Sequence, residues 1–203
     1  MFGQEICSMK LKWRHFRFLF TELQRPLDLD ITHDELADFD LRFRLILRKH
    51  LVILGWWSLL NIAGGIFALL FLKGTAYYFW MMGIIWGLIN FIIVMTILNH
   101  TFYRKFRRGA FERFETQRHV EKLMFLNIGI DSAYVFVGLF LREHSFVCEI
   151  PNADLWLGFG WSVIIQGVFL LVQDIAVYRL HRKNFKKAQP FLEKLLDNKG
   201  HKL

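Results

Sequence analysis

The sequence predicts an all-α membrane protein, a four-helix transmembrane bundle built as two antiparallel hairpins. Three observations carry that expectation. Four long stretches are apolar, only Asp131 and Asp174 put a charge inside any of them, and 24 of the 26 Lys/Arg fall on one set of connections. About 20 apolar residues suffice for a helix to cross the hydrocarbon core, and a helix satisfies its own backbone polar groups there. The expected spans are 51–72, 76–99 (the apolar run itself begins at Gly74), 123–141 and 155–178.

The first 32 residues are expected to form a cytoplasmic, interfacial, amphipathic segment. Lys10–Phe20 mixes Trp13, Phe16, Phe18 and Phe20 with Lys and Arg, the chemistry of a segment lying on the inner leaflet; a disordered basic tail has the same composition. The patch Phe16-Arg17-Phe18-Leu19-Phe20 is too short and too charged for a secretory h-region, so no cleavable signal is expected. Thr32-His33-Asp34-Glu35 has the spacing of a capping box, which opens a helix into the first span, and Pro26 keeps that helix from starting earlier.

The membrane domain is expected over 33–180. The second span should continue as helix through Arg108, break at Gly109, and return through Phe111–Lys122 into the third span. The other connections, Lys73–Ala76 and Arg142–Asp154, are short, and Pro151 breaks the second. Short connections make the first helix a neighbour of the second and the third of the fourth. Residues 181–203 read as a basic cytoplasmic tail, with Pro190 interrupting the amphipathic run Phe191-Leu192-Glu193-Lys194-Leu195-Leu196.

Orientation comes from charge. Nine Lys/Arg precede Leu51, seven lie between the second and third spans, and eight follow Tyr178. Short basic connections stay inside, so both termini are expected in the cytoplasm of a bacterial inner membrane. The net charge of +8 then faces anionic lipid headgroups. Because the basic residues flank spans and form no separate domain, they do not point to nucleic acid. Cys7 and Cys148 fall on opposite sides of the membrane and cannot pair within one chain. Trp56, Tyr77, Tyr78, Trp80, Tyr103, Trp156 and Tyr178 form aromatic belts.

The halves resemble one another. Leu60-Asn61-Ile62 and Leu126-Asn127-Ile128 open the two hairpins, and Trp86, Asn99, Tyr103, Arg104 and Arg107 match Trp161, Asp174, Tyr178, Arg179 and Arg182 at an offset of 75. Both halves run in the same sense, so a duplication would be a parallel repeat; two helical hairpins of biased composition would also look alike.

Chemistry must come from polar groups inside the spans, since burying one without a partner costs about 2–7 kcal/mol. Each span has one near its midpoint: Asn61, Asn90, Asp131 and Gln166. Asn127, Asp131, Tyr134 and Gly138 fall within about 60° on the third helix. Trp57, Asn61, Gly64, Gly65 and Ala68 share a face of the first, and Gly83, Trp86 and Asn90 a face of the second, where Gly83 and Gly87 make a GxxxG pair. Gln166 and Gln173 share a face of the fourth, with Asp174 to its side. With all these faces inward, a polar layer lies at mid-depth. Asn, Gln and Tyr in such a layer can simply bond across helices and set register, worth about 0.6–2 kcal/mol each. Asp131 is different: no Lys, Arg or His lies inside any span to neutralise it. It is either protonated or meets a cation from outside the bundle. Asp174, near Tyr178 and Arg179, reads as a neutralised acid at the inner boundary.

His50, His100, His119 and His181 sit at the cytoplasmic ends of the spans and read as solvated. A bis-His haem needs two facing histidines in a dry pocket, and no H-x-x-x-H or H-E-x-x-H zinc spacing occurs. No cofactor and no metal are expected. No G-x-S-x-G elbow, Walker loop or paired-carboxylate motif is present.

Three stretches resemble an uncharacterised family of four-span bacterial membrane proteins of Bacteroidetes type. They are Gly55–Gly65, Asn127–Tyr134 and Gly160–Leu171. The family's N-x-G-x-D-x-x-Y core is carried by Asn127, Gly129, Asp131 and Tyr134, its W-x-x-x-N-I by Trp57, Asn61 and Ile62, and its Q-G-x-F-L-L by Gln166 through Leu171. Its second-span pattern is only partly met: Phe79-Trp80-Met81-Met82 and Trp86-Gly87-Leu88-Ile89-Asn90 lack a His and an Asn. The resemblance spans Asp40–Lys183 and implies no activity, but its motif positions coincide with the polar stripe.

Three functions compete. The first is binding or permeation of a small ligand, ion or proton at Asp131, walled by Asn127, Tyr134, Asn61, Asn90 and Gln166, in a channel or transporter-like component. Four helices make a thin pore, so conduction calls for a homo-oligomer. The second is a membrane-embedded assembly or regulatory subunit of a larger complex. The third, a lipid-active enzyme, has least support, because no nucleophile with an adjacent base can be named; catalytic residues are not expected.

Overall fold

In a computed structural model, residues 17–24, 35–102, 110–147 and 151–200 are described. All secondary structure among them is helical: α1 (17–24), α2 (Glu35–Phe71), α3 (Gly74–Phe102), α4 (Ala110–His144) and α5 (Ala153–Gly200). The four long helices are each long and apolar enough to cross a membrane. Most of Lys10–Phe20, Pro26, the Thr32–Asp34 part of the capping box, Tyr103, Gly109 and both cysteines lie outside the described residues.

The helices are longer than a bilayer requires. α5 has 48 residues, about 72 Å at 1.5 Å per residue, against a hydrocarbon core of about 30 Å. It runs unbroken past Tyr178 and through Pro190, so the expected interruption at Pro190 does not occur. A proline inside a helix forfeits one hydrogen bond and costs about 3 kcal/mol. Here Phe191 and Leu192, just beyond it, pack on a buried cluster of Phe39, Phe114 and Ala188. That apolar contact offsets the loss and holds the last turns in line. The N-terminal half of α2, the start of α4 and the end of α5 thus form one three-helix unit at the basic end of the molecule.

Inside the apolar region the helices approach through small residues. A Cβ on Gly65 would collide with the Ile84 side chain, and one on Gly87 would lie 3.0 Å from the Ser58 carbonyl, so α2 and α3 touch almost backbone to backbone. Gly138 of α4 and Gly160 of α5 do the same: a Cβ on Gly160 would fall 2.6 Å from the Arg142 amide. Gly158 brings α5 against Thr75 of α3 in the same way. α5 is the hub, packing on α2, α3 and α4, whereas α4 meets the rest chiefly along α5. Exposed Phe125, Phe136 and Phe140 line the outer side of α4, and a Cβ on Gly129 would meet nothing within 4 Å.

α1 is tied to this frame. Leu19 is fully buried against Gly55, Phe20 meets the Trp56 ring edge-on at 4.7 Å, and Lys49 donates to the Leu23 carbonyl at 2.9 Å.

Candidate functional site

Two polar groupings, not one layer, occupy the apolar region. The first joins α2 to α5. Trp57 Nε1 donates to Gln166 Oε1 at 2.6 Å, and Gln166 Nε2 donates to Asn61 Oδ1 at 2.6 Å. Asn61 Nδ2 returns to the Trp57 carbonyl at 2.8 Å, and the Trp57 ring stacks on Phe169 at 3.9 Å. Every polar atom in this chain of contacts has a partner. Gly83 of α3 leaves room for it, since a Cβ there would lie 3.3 Å from Asn61 Oδ1.

The second joins α4 to α5. The stripe Asn127, Asp131, Tyr134 and Gly138 faces α5 and the edge of α3. Gly138 packs on Gly160, Asp131 presents its carbonyl to Gly167, and Tyr134 meets the Trp86 ring at 4.7 Å. The Asn127 side chain hydrogen-bonds to Asp174. Asp131 is only 4% exposed, yet its Oδ2 has no hydrogen-bond partner among the described residues. Asp174 is close enough to act on it electrostatically.

The sixth predicted member, Asn90, is buried on α3 but its Nδ2 has no partner among the described residues. The structure thus links Asn61 with Gln166 and Asn127 with Asp174, and leaves Asn90 apart. The reason is topological: α4 lies beside α5 rather than opposite α2, so the four midpoints do not converge.

Two expectations about charged groups change. Asp174 is buried, bonded to Asn127 and facing α2, where His50 Nδ1 stands 4.0 Å from its Oδ1. Arg179 makes no ion pair with it. His50 and His181 are not solvated but buried, 6% and 0% exposed. Both lie just outside the apolar spans, and burial pushes each imidazole down to about 4, with His50 adding to the effect on His181. His119 is exposed, as expected.

These groups belong to a spine that was missed. Gln166, Gln173, Asp174, His181 and Asn184 fall within about 100° of one another on α5 and all are buried. Gln173 donates to the His50 carbonyl at 2.9 Å and to His50 Nδ1 at 3.1 Å. Asn184 accepts from Arg42 Nε at 2.7 Å and donates to Gln117 Oε1 at 2.8 Å, while Gln117 donates to the His181 carbonyl at 2.7 Å. The signal that could have found the spine is the helical spacing of these residues straight across Tyr178, which an expected domain boundary at 180 divides.

Among the described residues no three His, Cys, Asp or Glu side chains are grouped to hold a metal ion.

Neither a curated protein nor a solved structure matches this chain. A family model does, over residues 53–175, which takes in the whole of both polar groupings. The chain belongs to that family, one of unknown function (DUF6992).

Proposed function

We propose that this is a multi-pass protein of a bacterial inner membrane that binds a small cation, a proton included, at Asp131. Its helices form two antiparallel hairpins, α2 with α3 and α4 with α5, with both termini cytoplasmic and the basic end toward anionic headgroups. The observation that carries the reading is Asp131 itself: a carboxyl group 4% exposed, with an Oδ2 that has no partner among the described residues, a second buried acid on the helix it packs against and no basic side chain in any span. An isolated buried charge is too costly to keep, so a cation has to accompany it. Asn127 and Tyr134 flank the acid, and Asn61 and Gln166 hold α2 on the helix that bears Asp174. Conduction would need a homo-oligomer, with the apolar outer side of α4 available between copies.

The reading as an assembly subunit calls for the polar stripe to face a partner. Burial of Asp131 against α5 favours the ligand reading over it.

The test is a melting-temperature titration of the full chain in lipid nanodiscs against pH, Na⁺, K⁺ and a small organic ammonium ion. The wild type is expected to respond to at least one cation, and Asp131→Asn to lose that response while staying folded. An identical response in the two proteins would end the proposal, and copurification with one stable partner instead would favour the assembly subunit.

A further inference from the structure

One hydroxyl in the apolar region breaks a rule that its neighbours obey. Inside a helix, a Ser or Thr hydroxyl can donate to the carbonyl four residues back. Ser58, Thr96 and Ser132 do so at 2.7–2.8 Å. Ser162 of α5 does not: it is 0% exposed, and its Oγ has no hydrogen-bond partner among the described residues. An unpaired hydroxyl is costly to bury, and alanine would fill the same space without that cost.

Ser162 stands at a glycine notch in α3. A Cβ on Gly83 would lie 4.0 Å from Ser162 Oγ, 3.3 Å from Asn61 Oδ1 and 3.9 Å from the Trp80 ring. These three walls come from α5, α2 and α3, and the room between them suits about one non-hydrogen atom. Gly83 and Ser162 each lie nine residues into their helices, and Asn61 lies ten residues before the end of α2. Those helix ends meet, since Thr75 donates to Asp154 there. The notch is therefore about 14 Å from that end of the bundle, close to mid-depth in a core of about 30 Å.

The walls also set the chemistry. Asn61 Oδ1 can only accept; Gln166 Nε2 occupies one of its two lone pairs at 2.6 Å, and the other calls for a donor. Ser162 Oγ can donate or accept. None of the three walls carries a charge, so an ion in the notch would go uncompensated.

We propose that the notch formed by Gly83, Asn61 and Ser162 is a binding site for a single water molecule, which accepts from Ser162 Oγ and donates to Asn61 Oδ1. Water has the size, the neutrality and the paired donor and acceptor that the walls require, and two polar partners suffice for a buried one. It carries the Trp57–Gln166–Asn61 chain one step further, to Ser162. Gly83 then serves the water as well as the approach of α2 to α3. The site is separate from Asp131 and does not depend on the reading of that acid.

A melting-temperature cycle of the full chain in nanodiscs tests this, with Gly83→Ala, Ser162→Ala and the double variant. The methyl of Gly83→Ala takes the place of the water and strands the Ser162 hydroxyl. That variant should melt about 2–4 °C below wild type, the scale of one lost interaction in a chain of this size, although alanine is the better helix former. In the Ser162→Ala background no hydroxyl is stranded, so the same change should leave the melting temperature level or raise it. Contact of the new methyl with Asn61 is common to both backgrounds and cancels. Additive shifts, or a Ser162→Ala variant that melts above wild type, overturn the site. Solid-state NMR of the wild type decides the matter even if the variants do not fold: magnetisation from water protons should reach the Ser162 Cβ. No such transfer in the folded protein overturns water as the occupant.

Discussion

The two faces of α5 inside the membrane are built from similar residues and do opposite things. Toward α2, Trp57, Asn61 and Gln166 close their hydrogen bonds at 2.6–2.8 Å and leave no polar atom over. Toward α4, Asn127 bonds to Asp174 but Asp131 keeps an oxygen without a partner among the described residues. A closed polar layer sets register and holds helices together. An open one of equal burial stores a demand for something else. The lesson is that a buried polar residue is read by the balance of its partners, not by its depth.

The comparison can be broken most forcefully at the helix contact both acids depend on. Gly160→Leu would drive a side chain into the α4 backbone at Arg142, and overpacking of this kind costs about 1–3 kcal/mol or more. The variant should fail to fold or melt well below wild type in detergent, whereas Gly129→Leu, on the open side of α4, should melt as wild type does. Equal behaviour of the two would mean that α4 does not pack on α5 through this surface.

Acid gives the next contrast, between the buried histidines and everything exposed. His50 and His181 titrate near 4 when folded and near the usual 6.5 when unfolded. Between those values the unfolded chain binds more protons. Their contribution is therefore present in full above pH 6.5 and declines as pH falls toward 4. Melting temperatures of wild type and of a His50→Gln/His181→Gln double variant should converge or cross over that window; parallel curves would contradict the burial of these rings.

On the closed face, Gln166→Leu leaves Trp57 Nε1 and Asn61 Oδ1 unpaired in an apolar setting. A loss of about 1–3 kcal/mol is expected, measurable by denaturant or thermal unfolding. A neutral result would show that the layer is not closed as drawn. The smallest effect belongs to the exposed pair Arg142–Glu143, 3.5 Å apart with the glutamate side chain 67% exposed; Glu143→Ala should change stability by less than about 1 kcal/mol.

Much of this was legible in advance. The four long apolar helices, the small-residue faces of α2 and α3 and the alignment of Asn127, Asp131, Tyr134 and Gly138 follow from composition and from 100° per residue, which are local properties. Leu19 shows where such reasoning stops: an apolar residue in a basic segment could face lipid, but Gly55 offers it a slot on α2. Pro190 stops it too, because its local cost is outweighed by Phe191 and Leu192 reaching a distant cluster. His181 is the sharpest case, three residues past an apolar run and yet fully buried.

By itself the amino-acid sequence determined how many long apolar helices there are, which of their residues share a face, and that Asp131 has no cation within the spans. Those depend on the period of one helix and on the cost of charge in hydrocarbon. Only the tertiary structure decided which faces meet, that the polar midpoints divide into a closed and an open group, and that His50 and His181 lie dry behind the acids. Burial and hydrogen-bond satisfaction belong to pairs of helices, and a helix wheel holds only one.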